Sequence, residues 1–312
     1  MANRYGNDYV VLVQADSAFN VDPVDLTSGW TAFGDKFELS NESPEPIDIP
    51  KKDQNIVRYN HTQVAGIKKP IVTLSGQMSY AHRSFLLGAM GLSLTGSDWT
   101  IDNANTVNSY TIVQQFATAE GNEVNGCVGE TLTISGEAGG AIDYSLTMRA
   151  GTVEREATDT YQAMTVPTNS PFLFQFNGAP SLAGASITNN TSFELTITRI
   201  FPDDRFLFQD NDVWYQGLQC EIEGEFSANW IYDSANDSNV YDELRSGTTV
   251  RDTVTLNDAA SNPNSLAIET SGEYIDYTLP DPDRCIFEGG FTKKLFYNGA
   301  NEPITVTETA KS

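Results

Sequence analysis

Forty-two aspartates and glutamates in 312 residues offer many carboxylates that could act in pairs. Asp203–Asp204, Asp210/Asp212 and Asp281/Asp283 carry the residue types that hydrolases use as acid and base on a glycosidic bond, or that ligate calcium. The run DNDVWYQGLQCE from Asp210 comes nearest to a cation loop, with carboxylates at its first and third positions and Glu221 at its twelfth. Its sixth position is Tyr215, where the sharp turn of such a loop needs glycine, so a solvated loop is the better account. Two histidines are present. His82 stands at the start of a helical segment beside Arg83, where capping or a surface position suffices, and His61 lies beside Thr62 with no Ser or Cys partner suggested nearby. No GxSxG, HExxH, GxxxxGK or GxGxxG motif occurs. The sequence therefore nominates no catalytic residue, no cofactor and no metal ligand.

Cys127, Cys220 and Cys285 show no CxxC pairing, and their odd number suits buried free thiols. Asn-x-Ser/Thr sequons lack meaning without a secretory leader, and the start MANRYGNDYVVLVQADS has no basic flank followed by a long apolar core. The expectation is a chain that stays where it is made. The most apolar stretch, Phe85–Leu94, is interrupted by Gly88 and Gly91 and is too short to span a membrane. A net charge of -24 should repel nucleic acid, which proteins grip with Lys and Arg. Trp30, Trp99, Trp214 and Trp230 are scattered, which favours core or interface packing over a row of sugar-stacking aromatics.

The elements that would carry these groups are short strands. Abundant Gly, Asn, Ser and Thr with few charged residues suit strands joined by turns. Val72–Ser79 (VTLSGQMS) aligns with Cys220–Ser227 (CEIEGEFS): Val72, Leu74 and Met78 alternate as Cys220, Ile222 and Phe226 do, with Gly76 and Gly224 in the same place. A helical segment follows each, Ser84–Met90 stopped by Gly91 and Ser238–Ser246 stopped by Gly247. Each copy closes on a strand, Ala141–Ala150 and Phe291–Asn298, and 75 residues separate Gly76 from Gly151 as they do Gly224 from Gly299. Phe37-Glu38-Leu39 and Phe193-Glu194-Leu195 stand upstream of the two copies, and the whole order implies a duplication. Asn41–Pro50, with three prolines and three acids, is excluded from a central strand or a helix, and Ile304–Thr309 reads as an edge strand or docking arm.

Val72–Gly91 (VTLSGQMSYAHRSFLLGAMG) resembles the strand-then-helix segment of phage tail tube proteins. Asn125–Arg149 is similar to the hairpin that follows it, with Gly139-Gly140 as the turn, and Gly217–Phe226 and Phe291–Thr307 resemble the second half of the larger members. The resemblance implies a mainly β fold: two tandem tail-tube-type β-sandwich or barrel domains, each with a short α-helix. It divides the chain into an N-terminal arm (1–30), a first domain (31–165), a linker (166–187) and a second domain with a C-terminal arm (188–312). It further implies self-assembly into stacked rings, trimeric with pseudo-sixfold symmetry, that form the conduit for genome ejection. The partners implied are the tape measure protein inside the tube, the tail terminator and baseplate proteins, with DNA passing unbound, no membrane, and assembly in the cytoplasm of the host bacterium. Structural roles fall to Gly76, Gly224, Gly139 and Gly140, and contacts between rings to Glu42, Glu45, Asp48, Ile304 and Val306. The rival readings are another virion part (a decoration or tail-end protein), a β-sandwich carbohydrate-binding module, and a glycosidase.

Overall fold

Alternation of apolar and polar residues folds most of the described chain into antiparallel strands. The computed structural model describes residues 9–16, 30–33, 36–40, 46–50, 61–65, 70–101, 108–117, 120–157, 171–174, 181–182, 185–186, 189–201, 206–207, 210–214, 221–231, 234–258, 264–278, 288–297 and 299–310. In chain order come β1 (Val10–Ala15), β2 (Thr31–Phe33), β3 (Lys36–Ser40), the hairpin of β4 (Pro46–Pro50) and β5 (His61–Ala65), and β6 (Ile71–Gln77). After a 3-10 turn at Tyr80–His82 follow α1 (Arg83–Ala89), the hairpin of β7 (Leu92–Thr95) and β8 (Asp98–Ile101), and then β9 (Tyr110–Ala117), β10 (Glu120–Glu137), β11 (Ile142–Arg149) and β12 (Thr152–Ala157). The rest comprises β13 (Ser181–Leu182), β14 (Ala185–Ser186), β15 (Asn190–Ile200), the hairpin of β16 (Phe206–Leu207) and β17 (Asp210–Trp214), and β18 (Glu221–Ile231). Last come α2 (Ser234–Ser246), β19 (Val250–Asn257), β20 (Ser265–Thr278), β21 (Glu288–Leu295) and β22 (Ile304–Thr309).

One pairing pattern runs twice. β3 pairs β6, β6 pairs β11 and β11 pairs β10; later, β15 pairs β18, β18 pairs β21 and β21 pairs β20. β9 and β12 flank the first half of β10, and β19 and β22 flank the first half of β20. The β1–β2 and β1–β9 pairings recur as β13–β14 and β13–β19. Both helices follow the equivalent strand and stop at a glycine with positive φ, Gly91 (79°) and Gly247 (62°), which any other residue would strain. α1 starts at Arg83 and α2 at Ser234, the latter four residues earlier than its sequence suggests.

The two glycine and tripeptide matches do not share one register. Phe37 faces Leu74, two residues before Gly76, whereas Phe193 faces Ala228, four residues beyond Gly224. Topology repeats while side-chain positions slide, because a strand pair can shift by an even number of residues and keep its apolar face inward.

β10 joins the two copies, pairing β11 on one side and β15 on the other. The result is an eight-stranded run, β3–β6–β11–β10–β15–β18–β21–β20, in one contiguous sheet. Its inner face, with Leu74, Leu146, Leu132, Ile197, Phe226 and Phe291, packs into one core with Val11 of β1, Phe33 of β2, Ile112 of β9 and Val124 in the first half of β10. Residues expected as linker take part in this packing: Phe172 is fully buried, its amide donates to Met78 O (2.9 Å) and its carbonyl accepts from Ile142 N (2.9 Å).

Two buried cations tie elements together. Arg199 of β15 reaches the end of α1, donating from Nη1 to Ala89 O at 2.9 Å, where the carbonyls of a helix C-terminus favour a cation. Burial pushes its guanidinium down to about 10, with Tyr110 opposing the shift. Lys293 of β21 donates to Asp252 Oδ2 (2.6 Å) and Thr270 O (3.0 Å), and Tyr274 Oη donates to Asp252 Oδ1 (3.0 Å), which locks β19, β20 and β21 in register. Burial lowers the Lys293 pKa, and Asp252 opposes it.

Candidate functional site

The outer face of the eight-stranded run is mostly polar, with Ile200, Ile231 and Ile275 as its exposed apolar residues. Strand alternation puts Thr73, Ser75 and Gln77 there on β6, opposite Thr147, Ser145 and Asp143 on β11. The same rows continue through Thr131, Thr133 and Ser135 of β10 to Thr198, Thr196 and Glu194 of β15, then to Glu223, Glu225 and Ser227 of β18. They end at Lys294 and Thr292 of β21 and at Glu273 and Asp276 of β20. Thr133 Oγ1 and Thr196 Oγ1 are 3.3 Å apart across the joint between the copies.

Charge on this face is one-sided. Glu38, Glu137, Asp143, Glu194, Glu223, Glu225, Glu273 and Asp276 project from it, against Lys36, Arg149 and Lys294 among the described residues. Each of those cations has a carboxylate neighbour: Lys36 with Glu38, Arg149 Nη2 with Glu130 (2.5 Å), and Lys294 with Glu223 (3.9 Å). A shallow trough lined by Gln77, Ser135, Glu137, Asp143, Glu194 and Asn229 crosses the joint. Such a surface offers hydroxyls and carboxylates to water and holds no grip for phosphate.

Among the described residues, the run ends in two edges with no further strand beside them. Ala150 N donates to Pro70 O and Met78 N to Ile142 O, so the even-numbered residues of β6 bond β11 and the odd-numbered ones bond β3. The partners on β3 are then Lys36, Glu38 and Ser40, which leaves the amides and carbonyls of Phe37 and Leu39 pointing outward. At the far end, the Glu273–Thr278 stretch of β20 pairs only β21 among the described residues. In the first copy, the corresponding side of β10 is taken by β15, the counterpart of β3.

Gly224 lies in the core-facing register, where an added Cβ would stand 2.8 Å from Leu295 Cδ1 and 3.1 Å from Leu295 Cβ. Gly224→Val is therefore expected to lower stability by about 1–3 kcal/mol, read as a lower urea midpoint. An unchanged midpoint would mean that Leu295 yields freely. Gly76 sits opposite Tyr144 on β6. Gly139 turns the β10–β11 hairpin at φ 86°, whereas an added Cβ on Gly140 would meet nothing closer than Glu137 O at 3.4 Å, so the turn requires glycine only at the first of the pair.

Of the residues expected between rings, Glu42 and Glu45 lie outside the described residues, and Asp48 is on β4, facing Gln63 of β5. That hairpin forms a two-stranded sheet of its own, with Pro46 facing Ala65 and Pro50 facing His61. Ile304 and Val306 differ from expectation. β22 is no edge or loose arm but runs between β20 and β8, with both side chains 1% exposed in the chain's own core. Glu308 Oε2 accepts from Arg83 Nε (2.5 Å) and Trp99 Nε1 (3.1 Å), an anchor with no signature in the linear sequence.

His82 is likewise not a surface residue. It is buried, its ring 4.8 Å from that of Phe33, and Ser79 N donates to its Nδ1 at 3.4 Å. Trp30, Trp99 and Trp230 are buried. Cys127 is buried and burial pushes its thiol well up, while Cys220, Cys285, Asp203–Asp204 and Asp281/Asp283 lie outside the described residues. Asp210 and Asp212 belong to β17, and His61 to β5. No cluster of three potential metal ligands occurs among the described residues, and no helix there is long and apolar enough to cross a membrane.

No curated protein matches the chain. The sequence model of the family described as phage tail tube protein matches residues 71–304, from the first residue of β6 to the first of β22. The match covers three-quarters of the chain, from β6 of the first copy through β21 of the second. The chain belongs to the phage tail tube protein family, and is thereby a structural protein of the virion tail.

Proposed function

We propose that this protein closes into rings of three chains that stack into the tail tube, and that the polar sheet face lines the lumen through which the genome leaves. The observation that carries the proposal is the pair of open edges. Each chain holds one internal joint, β10 to β15, and presents the two halves of another, the free side of β20 and the free side of β3. Pairing Glu273–Thr278 of one copy with Lys36–Ser40 of the next repeats the internal joint between chains, by heterologous contacts that close only as a ring. Two strand patterns per chain make three chains equivalent to six similar units, so the division near residues 166–187 is read as a boundary between two tail-tube domains. The acidic face then turns inward, where carboxylates keep phosphates hydrated and away from the wall by like-charge repulsion.

On this reading the protein has no catalytic role and no cofactor. It assembles in the host cytoplasm, encloses the tape measure protein, and meets the terminator and baseplate proteins at its ends. The β4–β5 hairpin, a two-stranded sheet of its own between β3 and β6 in the chain, is suited to reach the adjoining ring. Electron microscopy of the purified protein with native mass of the ring tests the reading. Rings of three chains with sixfold-like symmetry are expected. Six chains per ring would remove the duplication argument, and a monomer that never forms rings would remove the tube.

A further inference from the structure

We infer that Tyr9 guards the β3 edge in the unassembled chain and must let go for a ring to close, an inference that rests on the ring reading above. Of the two amides that β3 turns outward, that of Phe37 is already engaged: it donates to Tyr9 Oη at 3.2 Å. The hydroxyl comes from 28 residues upstream, so it is no product of local turn geometry. Tyr9 immediately precedes β1, which is held on both sides by β2 and β9, and its ring meets that of Phe116 edge-on at 6.5 Å. The ring also packs against the core while only half-buried, so it is held in place yet reachable. Phe116 is itself 40% exposed.

An exposed strand edge in a free monomer invites wrong pairings, and natural sheets block such edges with side chains or bulges. Here the block is one side-chain hydroxyl on one backbone donor. A neighbouring copy whose β20 pairs along the full length of β3 needs the Phe37 amide for its own ladder. Ring closure thus exchanges a Tyr9–Phe37 hydrogen bond for a backbone one. The hydroxyl is then released at the joint, beside the Phe116 ring. The partner that displaces it is a second copy of this chain, presenting the outer side of its β20 rather than a small molecule.

Tyr9→Phe keeps the ring and its packing on Phe116 and removes only the hydroxyl. In the monomer, hydrogen exchange at the Phe37 amide is slow in the wild type and becomes fast in the variant, while circular dichroism is unchanged. In assembled tubes the amide is slow in both. The protein concentration at which tubes first appear falls roughly two- to tenfold in the variant, the change expected when one hydrogen bond no longer has to be given up. An unchanged or raised onset, or a Phe37 amide that exchanges at the wild-type rate in the Tyr9→Phe monomer, overturns the guard while leaving the ring intact. A wild-type chain that forms no rings at all overturns both.

Discussion

A chain truncated before Ile304 is expected to lose its cooperative fold, not merely its capacity to form tubes. β22 bonds β20 along Ser265–Thr270 and β8 along Asp98–Thr100, so its removal strips two strands at once. Ile304 and Val306 are buried, and burying such side chains is worth about 1.5–3 kcal/mol each. The ion pair of Glu308 with Arg83, bonded also by Trp99, adds about 1–3 kcal/mol at mostly buried positions. The loss rivals the roughly 5–15 kcal/mol that keeps a typical domain folded. Thermal melts followed by circular dichroism should show the truncated chain with a lowered or absent transition. A truncated chain that melts like the full one would make the strand dispensable. Acid should loosen the same anchor. Burial alone raises the Glu308 pKa, but the hydrogen bonds from Arg83 and Trp99 and the Arg83 charge outweigh it and hold the carboxyl below its ordinary value. A depressed carboxylate stabilises above its unfolded pKa, and the gain disappears as pH falls through the folded value.

Leu39→Pro is expected to abolish rings and tubes while leaving the monomer folded. Its amide points outward and makes no bond to β6, so proline removes a donor that only a neighbouring copy would use. Glu38→Pro is the control on the other side of the same strand: that amide faces Thr73 of β6, and its loss should cost the monomer about 1–3 kcal/mol. The urea midpoint should therefore fall far more for Glu38→Pro than for Leu39→Pro, with electron microscopy empty of tubes for the latter. Long tubes of normal width from Leu39→Pro would move the joint away from β3.

By itself the sequence determined the strand content, the places of both helices and their glycine stops, and the order of the repeated elements. These are local properties: alternation with a period of two marks one-face-buried strands, and a glycine in left-handed conformation ends a helix without strain. It also determined the family, because residues 71–304 carry that order with its apolar spacing. The tertiary structure decided the rest, since it depends on partners far apart in the chain. The slide of Phe193 relative to Phe37 is invisible in the tripeptides, because a register shift of even length preserves the buried face. Ile304–Thr309 carries the same alternation whether it lies at an edge or between strands, and only β8 and β20 on its two flanks made it interior. His82, Arg199 and Lys293 were buried by elements that pack over them from elsewhere in the chain. Which carboxylates share one face followed from cross-strand register: Asp143, Glu194 and Glu225 stand on three separate strands, and only pairing through β10 and β15 brought them onto one wall.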